Sequence, residues 1–334
     1  MERNSMVRAG ALLCASLVPL VAARAASDNR LPDGTEVQSW EKPLTFSKTY
    51  CVDGRAANAD DSGPGTQQRP FRTVGKAAQV LQPGERVVIA EGVYREWVNP
   101  ARGGSGPDKM ISYEAVPGAK VVITGSAVLD KGWKPSSRGG GRGGPGAGAG
   151  AATGATAPRA WEIDIAPFLR GVYNPFAMVN VPGDRFWMNY KVISMAPYFR
   201  RRGMMFVDGK PLEQVDSYND LFGTSGRSIN NYEDIQWQPL FDEIGGAGGK
   251  FWVDQKGNNI FVRLPNDDAP EKHVIEATVQ EQVFAPADRG LGYIRLKGIT
   301  FQHGSDPFPM PQSGMVATNT GNHWIIGLVR GICG

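Results

Sequence analysis

Apolar residues in this chain gather into short β-branched runs separated by glycine and proline corners. RVVIA (86–90), MISYEA (110–115) and KVVIT (120–124) each have the length and composition of a strand, and VPGAK is a turn between the last two. Just ahead of them, Val74, Ala77, Ala78 and Leu81 repeat at helical spacing behind Thr73, a side chain suited to capping the first helical amides. Pro83-Gly84 stops that pattern. A helix of two turns with one apolar stripe is not stable alone, so it must cover the end of something larger. Farther on, YIRLKGITFQHG (293–304) places Ile294 and Leu296 before a Lys297-Gly298 break and Ile299 and Phe301 after it. HWIIGLV (323–329) supplies another strand. Short strands, glycine corners and a coil-sized interval predict an all-β, right-handed parallel β-helix with a short N-terminal capping helix. An antiparallel sandwich is the alternative that periodicity leaves open.

Between these two groups the pattern changes. SSRGGGRGGPGAGAGAATGATAP (136–158) is a low-complexity, flexible excursion. MMFVDGKPLEQV (204–215) carries Asp208-Gly209 between apolar runs, which predicts a hairpin. FWVDQKGNNIFVRL repeats that logic with a longer turn, and VIEATVQEQVF alternates like a half-buried strand. The predicted organisation is a cap and first coils over 49–131, an inserted antiparallel β module over 132–285, and a resumed β-helix over 286–334. TYCVDGRAANADDSGPGTQQRPF, at the start of the first part, reads as turns.

The N-terminus has another character. MERNSMVR is charged, AGALLCASLVPLVAA is apolar, and Ala23-Arg24-Ala25 supplies small residues at a cleavage site. Residues 1–25 are therefore expected to be a signal peptide and 26–48 a linker, placing the mature chain outside the cell or in the periplasm with no membrane attachment. Removing 1–25 takes away three arginines and one glutamate, and the formal charge falls from +3 to +1. Such a balance does not call for nucleic acid as a partner. A hydrophobic content of 41% is enough for a real core, and 43 glycines with 24 prolines favour short strands and many turns. Cys51 and Cys333 could pair in an oxidising compartment, but their spacing carries no signal.

Candidate chemistry is sparse. The three histidines, His273, His303 and His323, lack the ligand spacing of a zinc site. No GxSxG or GxGxxG occurs in a suitable context, so neither a serine elbow nor a nucleotide cofactor is indicated. Asp53, Asn58, Asp60 and Asp61 offer the hard oxygen donors that calcium takes, without EF-hand spacing. No cofactor is expected, with calcium at that loop as the alternative. Glu96 beside Trp97 could hold a sugar, with the indole face as platform. Alternatively Tyr94 and Trp97 pack on the helix while Glu91 and Glu96 face solvent.

The run GPGTQQRPFRTVGKAAQVLQPGERVVIAEGVYREWV resembles the opening of secreted β-helix proteins of the pectin-lyase-like superfamily. YREWVNPARGG, VVITGS, MFVDGKPLEQV, GYIRLKGITFQHG and GNHWII, in that order, resemble the β-xylosidases of glycoside hydrolase family 120 over about residues 49–326. The resemblance implies a β-helix interrupted by a flanking β domain and a poly- or oligosaccharide partner. It also implies a retaining mechanism in which two carboxylates stand roughly 5 Å apart. It further implies that the proline-rich loop HGSDPFPMPQSG lies near the substrate cleft, which makes His303, Asp306 and Gln312 candidate sugar ligands alongside Glu96 and Trp97. In that family the catalytic carboxylates lie beyond the position matching Trp324-Ile325-Ile326. Here the chain continues as GLVRGICG, without an acidic residue. The resemblance thus assigns no catalytic residue, and a truncated, catalytically incomplete protein is expected, with an apolar face exposed near Ile325, Ile326 and Leu328 and a tendency to aggregate. Two other functions stay open: a calcium-dependent polysaccharide lyase using a basic residue such as Arg200, Arg201 or Arg202, or a non-catalytic glycan-binding module or fragment.

Overall fold

The computed structural model describes residues 43–137, 159–179, 201–223, 248–305, 314–327 and 330–332. The leader, most of the linker and of the Gly-rich tract, Arg200, Asp306, Gln312, Leu328 and Cys333 lie outside the described residues.

Strands with β-branched or aromatic residues at every second position stack here in register, so that like side chains fall on like. Tyr50, Val87, Tyr113, Leu296 and Ile326 form one such file, contributed by Lys48–Val52, Glu85–Ile89, Ile111–Ala115, Ile294–Lys297 and Ile325–Gly327. All four pairings in this sheet are parallel. A second parallel sheet joins Gly92–Tyr94, Val121–Thr124, Ile299–Gln302 and Arg330–Ile332 and aligns Tyr94, Ile123 and Phe301. Single parallel bridges tie Val98 to Phe284 and Phe284 to Val316 as a third file. Successive passes visit the three files in the same order, and Val87, Ile111, Tyr113, Ile123, Phe284, Leu296 and Phe301 share one buried core.

The helix Val74–Val80 packs Val74, Ala77 and Ala78 into that core. Thr73 caps it as its sequence position predicts, its hydroxyl oxygen accepting from Lys76 N at 3.1 Å. One strand breaks the sequence reading. Lys48–Val52 lies at the junction read as linker and turns, yet pairs with Glu85–Ile89 along its whole length. Thr49, Tyr50 and Val52 favour extended backbone, and the turn-rich run that follows them hides a strand of only five residues.

Between the second and third files the chain makes a long detour. Ser126–Val128, Met205–Val207 and Ile275–Thr278 pair antiparallel, and Asp208 and Gly209, both at positive φ, turn Met205–Val207 back onto Lys210–Pro211. That is the hairpin read from MFVDGKP. A second sheet joins Lys250–Val253, Asn259–Arg263 and Trp161–Asp164, again antiparallel. Ile163, Phe176, Phe251, Val262 and Ile275 form a separate core beneath these sheets. VIEATVQEQVF is strand only over Ile275–Thr278. The described residues are thus mainly β with one α-helix and short 3-10 turns. Among them no helix is long and apolar enough to cross a membrane. Cys51 is a free thiol, and Ile326 is 51% exposed on the last strand of its sheet.

Candidate functional site

Where strands of the second file end, three polar side chains leave the stack toward the detour: Arg95, Ser126 and His303. Gly125 permits this, because a Cβ there would stand 2.6 Å from the His303 carbonyl oxygen. Glu276, from the detour strand Ile275–Thr278, completes the cluster. Arg95 Nη1 donates to Glu276 Oε1 at 2.5 Å and to Ser126 Oγ at 3.0 Å. Ser126 Oγ lies 3.0 Å from Glu276 Oε1, 3.1 Å from His303 Nδ1 and 2.9 Å from Thr124 Oγ1. The His303 ring stacks on Phe206, centroids 3.7 Å apart.

A serine, a histidine and a glutamate in contact invite comparison with a hydrolytic triad, and the geometry differs. Ser126 has one hydroxyl proton and the carboxylate is its strongest acceptor, so that proton goes to Glu276 rather than to the imidazole. The carboxylate touches the serine, not the histidine it would have to orient. Ser126 is 1% and His303 3% exposed, out of reach of a substrate. Burial holds His303 below the usual imidazole range, with Arg95 acting the same way and Glu276 opposing. The cluster is a neutral-histidine clamp that fastens the detour to the stack.

A second cluster surrounds Ser305, just past His303. Ser305 N donates to the Gln280 carbonyl at 3.0 Å, Ser305 Oγ to the Arg202 carbonyl at 3.2 Å, and Tyr173 OH to the Ser305 carbonyl at 3.1 Å. Arg202 faces Glu281 at 3.7 Å. Gln280 is 7% exposed, yet among the described residues neither its amide oxygen nor its amide nitrogen has a hydrogen-bond partner, and the same is true of Arg202 Nε. Leaving such groups unpaired costs about 1–3 kcal/mol each. Unsatisfied donors and acceptors side by side are suited to a polyhydroxylated ligand, whose hydroxyls both donate and accept. Sequence reading took VIEATVQEQVF as one alternating strand and did not single out Gln280 within it. Only its unsatisfied burial distinguishes it, and composition does not reveal that.

The sequence candidates among the described residues each have a definite place. Glu96 does not face solvent: its two carboxylate oxygens accept from Val74 N at 2.9 Å and Gly75 N at 2.7 Å, across the first turn of the helix. Burial raises its pKa while those amides oppose the rise. Trp97 is 46% exposed, its indole N–H donating to the Ala285 carbonyl at 3.3 Å. Tyr94 packs in the core. His303 sits in the clamp, and Asp306 and Gln312 fall outside the described residues. In the acidic loop, Asp60 accepts from Ser62 and Arg69, which with the Ser62 bonds foremost lower its pKa to about 2. Asp61 accepts from Arg72 N and from Thr73 N and Oγ1. Asp53 accepts from Arg55 N, and the Asn58 amide donates to the Gln68 carbonyl. Local donors thus engage Asp60 and Asp61 on several sides, Asp53 through one oxygen, and Asn58 through its nitrogen alone. Among the described residues no three His, Cys, Asp or Glu side chains form a metal-binding group.

Comparison with known proteins gives partial matches. Residues 57–99 match a family described as a protein of unknown function, DUF1565. A stretch of 73 residues, 22% of this chain, is 34% identical to the uncharacterized protein YwoF of Bacillus subtilis (strain 168) and covers 15% of it. Among solved structures, XylC in complex with xylose superposes with a TM-score of 0.63 and 26% identity, over 85% of this chain and 40% of that one. A second, described as a glycoside hydrolase, aligns at 14% identity and a TM-score of 0.40. The chain therefore spans well under half the length of XylC and a smaller part of YwoF.

Proposed function

We propose that this chain forms the opening coils and flanking β module of an exported, carbohydrate-active parallel β-helix protein of the glycoside hydrolase type, directed at xylose-containing oligosaccharides. The correspondence with XylC, solved with xylose, over 85% of the chain is the observation that carries this reading. The parallel files support the β-helix part of it. Three strand files visited in fixed order, with a detour between the second and the third on one pass, are what a coiled stack with an inserted module requires. The Gln280–Arg202 cluster at the joint of stack and module supports the sugar part.

Titration calorimetry of the purified chain with xylobiose and xylotriose, set against cello-oligosaccharides and pectate with calcium, tests the reading. Binding that prefers the xylo-oligosaccharides is expected, with no nitrophenol released from nitrophenyl β-xyloside by this chain. No heat with either xylo-oligosaccharide, or a preference for pectate dependent on calcium, would overturn it.

A further inference from the structure

We propose that the cleft between the first turns of the stack and Arg170 binds the carboxylate of an acidic sugar unit, a uronate; this rests on the saccharide reading above. The cleft has a volume of about 330 Å³, at the small end for ligand sites and wide enough for one pyranose. Arg55, Arg72, Arg95 and Arg170 line it, with Glu96 as the one carboxylate in its wall.

The charges do not balance inside the cleft. Arg55 is paired with Glu91 at 3.4 Å, and Arg95 with Glu276. Arg72 and Arg170 each spend one N–H on a neutral acceptor, the carbonyls of Ala59 and Arg95, both at 2.6 Å. Among the described residues neither has a carboxylate partner within ion-pair distance. Glu96 contributes negative charge, but both its oxygens are engaged by the helix amides. Two guanidinium groups, one from the approach to the helix and one from the detour, therefore converge on one mouth with donors to spare. A guanidinium fork matches a carboxylate in geometry as well as charge. Beside them Val93, 57% exposed, offers an apolar surface to the C–H face of a ring. A neutral pentose would leave the arginines unused, whereas a uronate uses both features.

Calorimetry with three probes separates this claim from the broader one: sodium glucuronate, xylotriose, and xylotriose bearing a glucuronate branch. The branched sugar is expected to bind about tenfold more tightly than the neutral one at low salt, with the gain shrinking as salt screens an open site. In Arg72→Gln/Arg170→Gln the gain is lost while xylotriose affinity stays unchanged, and the far-ultraviolet circular dichroism of the folded chain is retained even where the melting midpoint falls through loss of the two carbonyl bonds. Equal affinities for branched and neutral sugars, or a gain that survives in the double variant, overturn the proposal. So does inorganic phosphate competing as well as glucuronate, which marks a simple anion site. Glucuronate binding that needs both arginines, without any xylotriose binding, upholds the cleft and sinks the xylose reading. Xylotriose binding with no response to glucuronate, free or as the branch, does the reverse.

Discussion

Arg95 and Glu276, 181 positions apart, share one hydrogen bond of 2.5 Å between a guanidinium nitrogen and a carboxylate oxygen. The Glu276 side chain is 9% exposed, so it relies on this partner and on Ser126 for its charge. Removing one member of a buried pair costs about 3–5 kcal/mol, whereas replacing both by apolar groups is far milder. Arg95→Ala is expected to lower unfolding stability by about 3 kcal/mol, near the lower limit because Arg95 is partly exposed. Arg95→Met/Glu276→Leu should recover most of that. Urea denaturation of the three proteins checks it; a double variant no more stable than Arg95→Ala would show that the pair does not act as a unit.

His303 gives the fold a pH dependence of definite sign. Its folded pKa lies below the ordinary 6.5 because it is buried, with Arg95 nearby and Glu276 only partly offsetting. The unfolded chain then takes up the proton first. Stability from this group is complete above about 6.5 and is lost as pH falls toward the folded value. The melting midpoint should drop as pH falls below about 6.5, and less steeply in His303→Asn, which tolerates the positive φ at this position. Equal slopes in the two proteins would refute the assignment.

The helix Val74–Val80 is held at its start by two independent devices, the Thr73 hydroxyl and the Glu96 carboxylate. Thr73→Ala is expected to cost about 1 kcal/mol. Glu96→Ala removes two charge-assisted bonds and should cost about 2 kcal/mol or more. If chemical denaturation found Glu96→Ala neutral, the carboxylate would be free for another role.

Gln280 separates structure from binding in one substitution. Gln280→Leu removes an unsatisfied buried amide while roughly keeping its volume, so unfolding stability should hold or rise by about 1 kcal/mol. Xylo-oligosaccharide affinity should fall about tenfold if the amide meets the ligand. Unchanged affinity would remove Gln280 from the site.

The elements legible in the sequence were those whose side chains announce a period of their own. Val87 and Ile89, Val121 and Ile123, Ile299 and Phe301 alternate within single strands, and Thr73 with Pro83-Gly84 brackets the helix. Lys48–Val52 went unread although Thr49, Tyr50 and Val52 favour strands, because five residues ahead of a turn-rich run show too little periodicity to stand out. The functional geometry was harder still. Ser126 and His303 meet across 177 positions, and no local pattern records such a meeting. Glu96 was picked out as a carboxylate beside an aromatic ring, but its helix-capping role depends on amides 21 and 22 positions upstream. Arg72 and Arg170 are 98 positions apart in the chain, and only the fold brings them to one cleft.

The stacking of Ile294 directly on Ile111 closes a loop of roughly 180 residues, where an uninterrupted turn of the coil would close about 30. Because closure entropy grows only with the logarithm of length, the difference is about 1.6 kcal/mol, less than one good buried side chain returns. The stack is nearly indifferent to how much chain is spliced in at Ser126. The scaffold beneath therefore tolerates an excursion of very different lengths at that point without repacking its core.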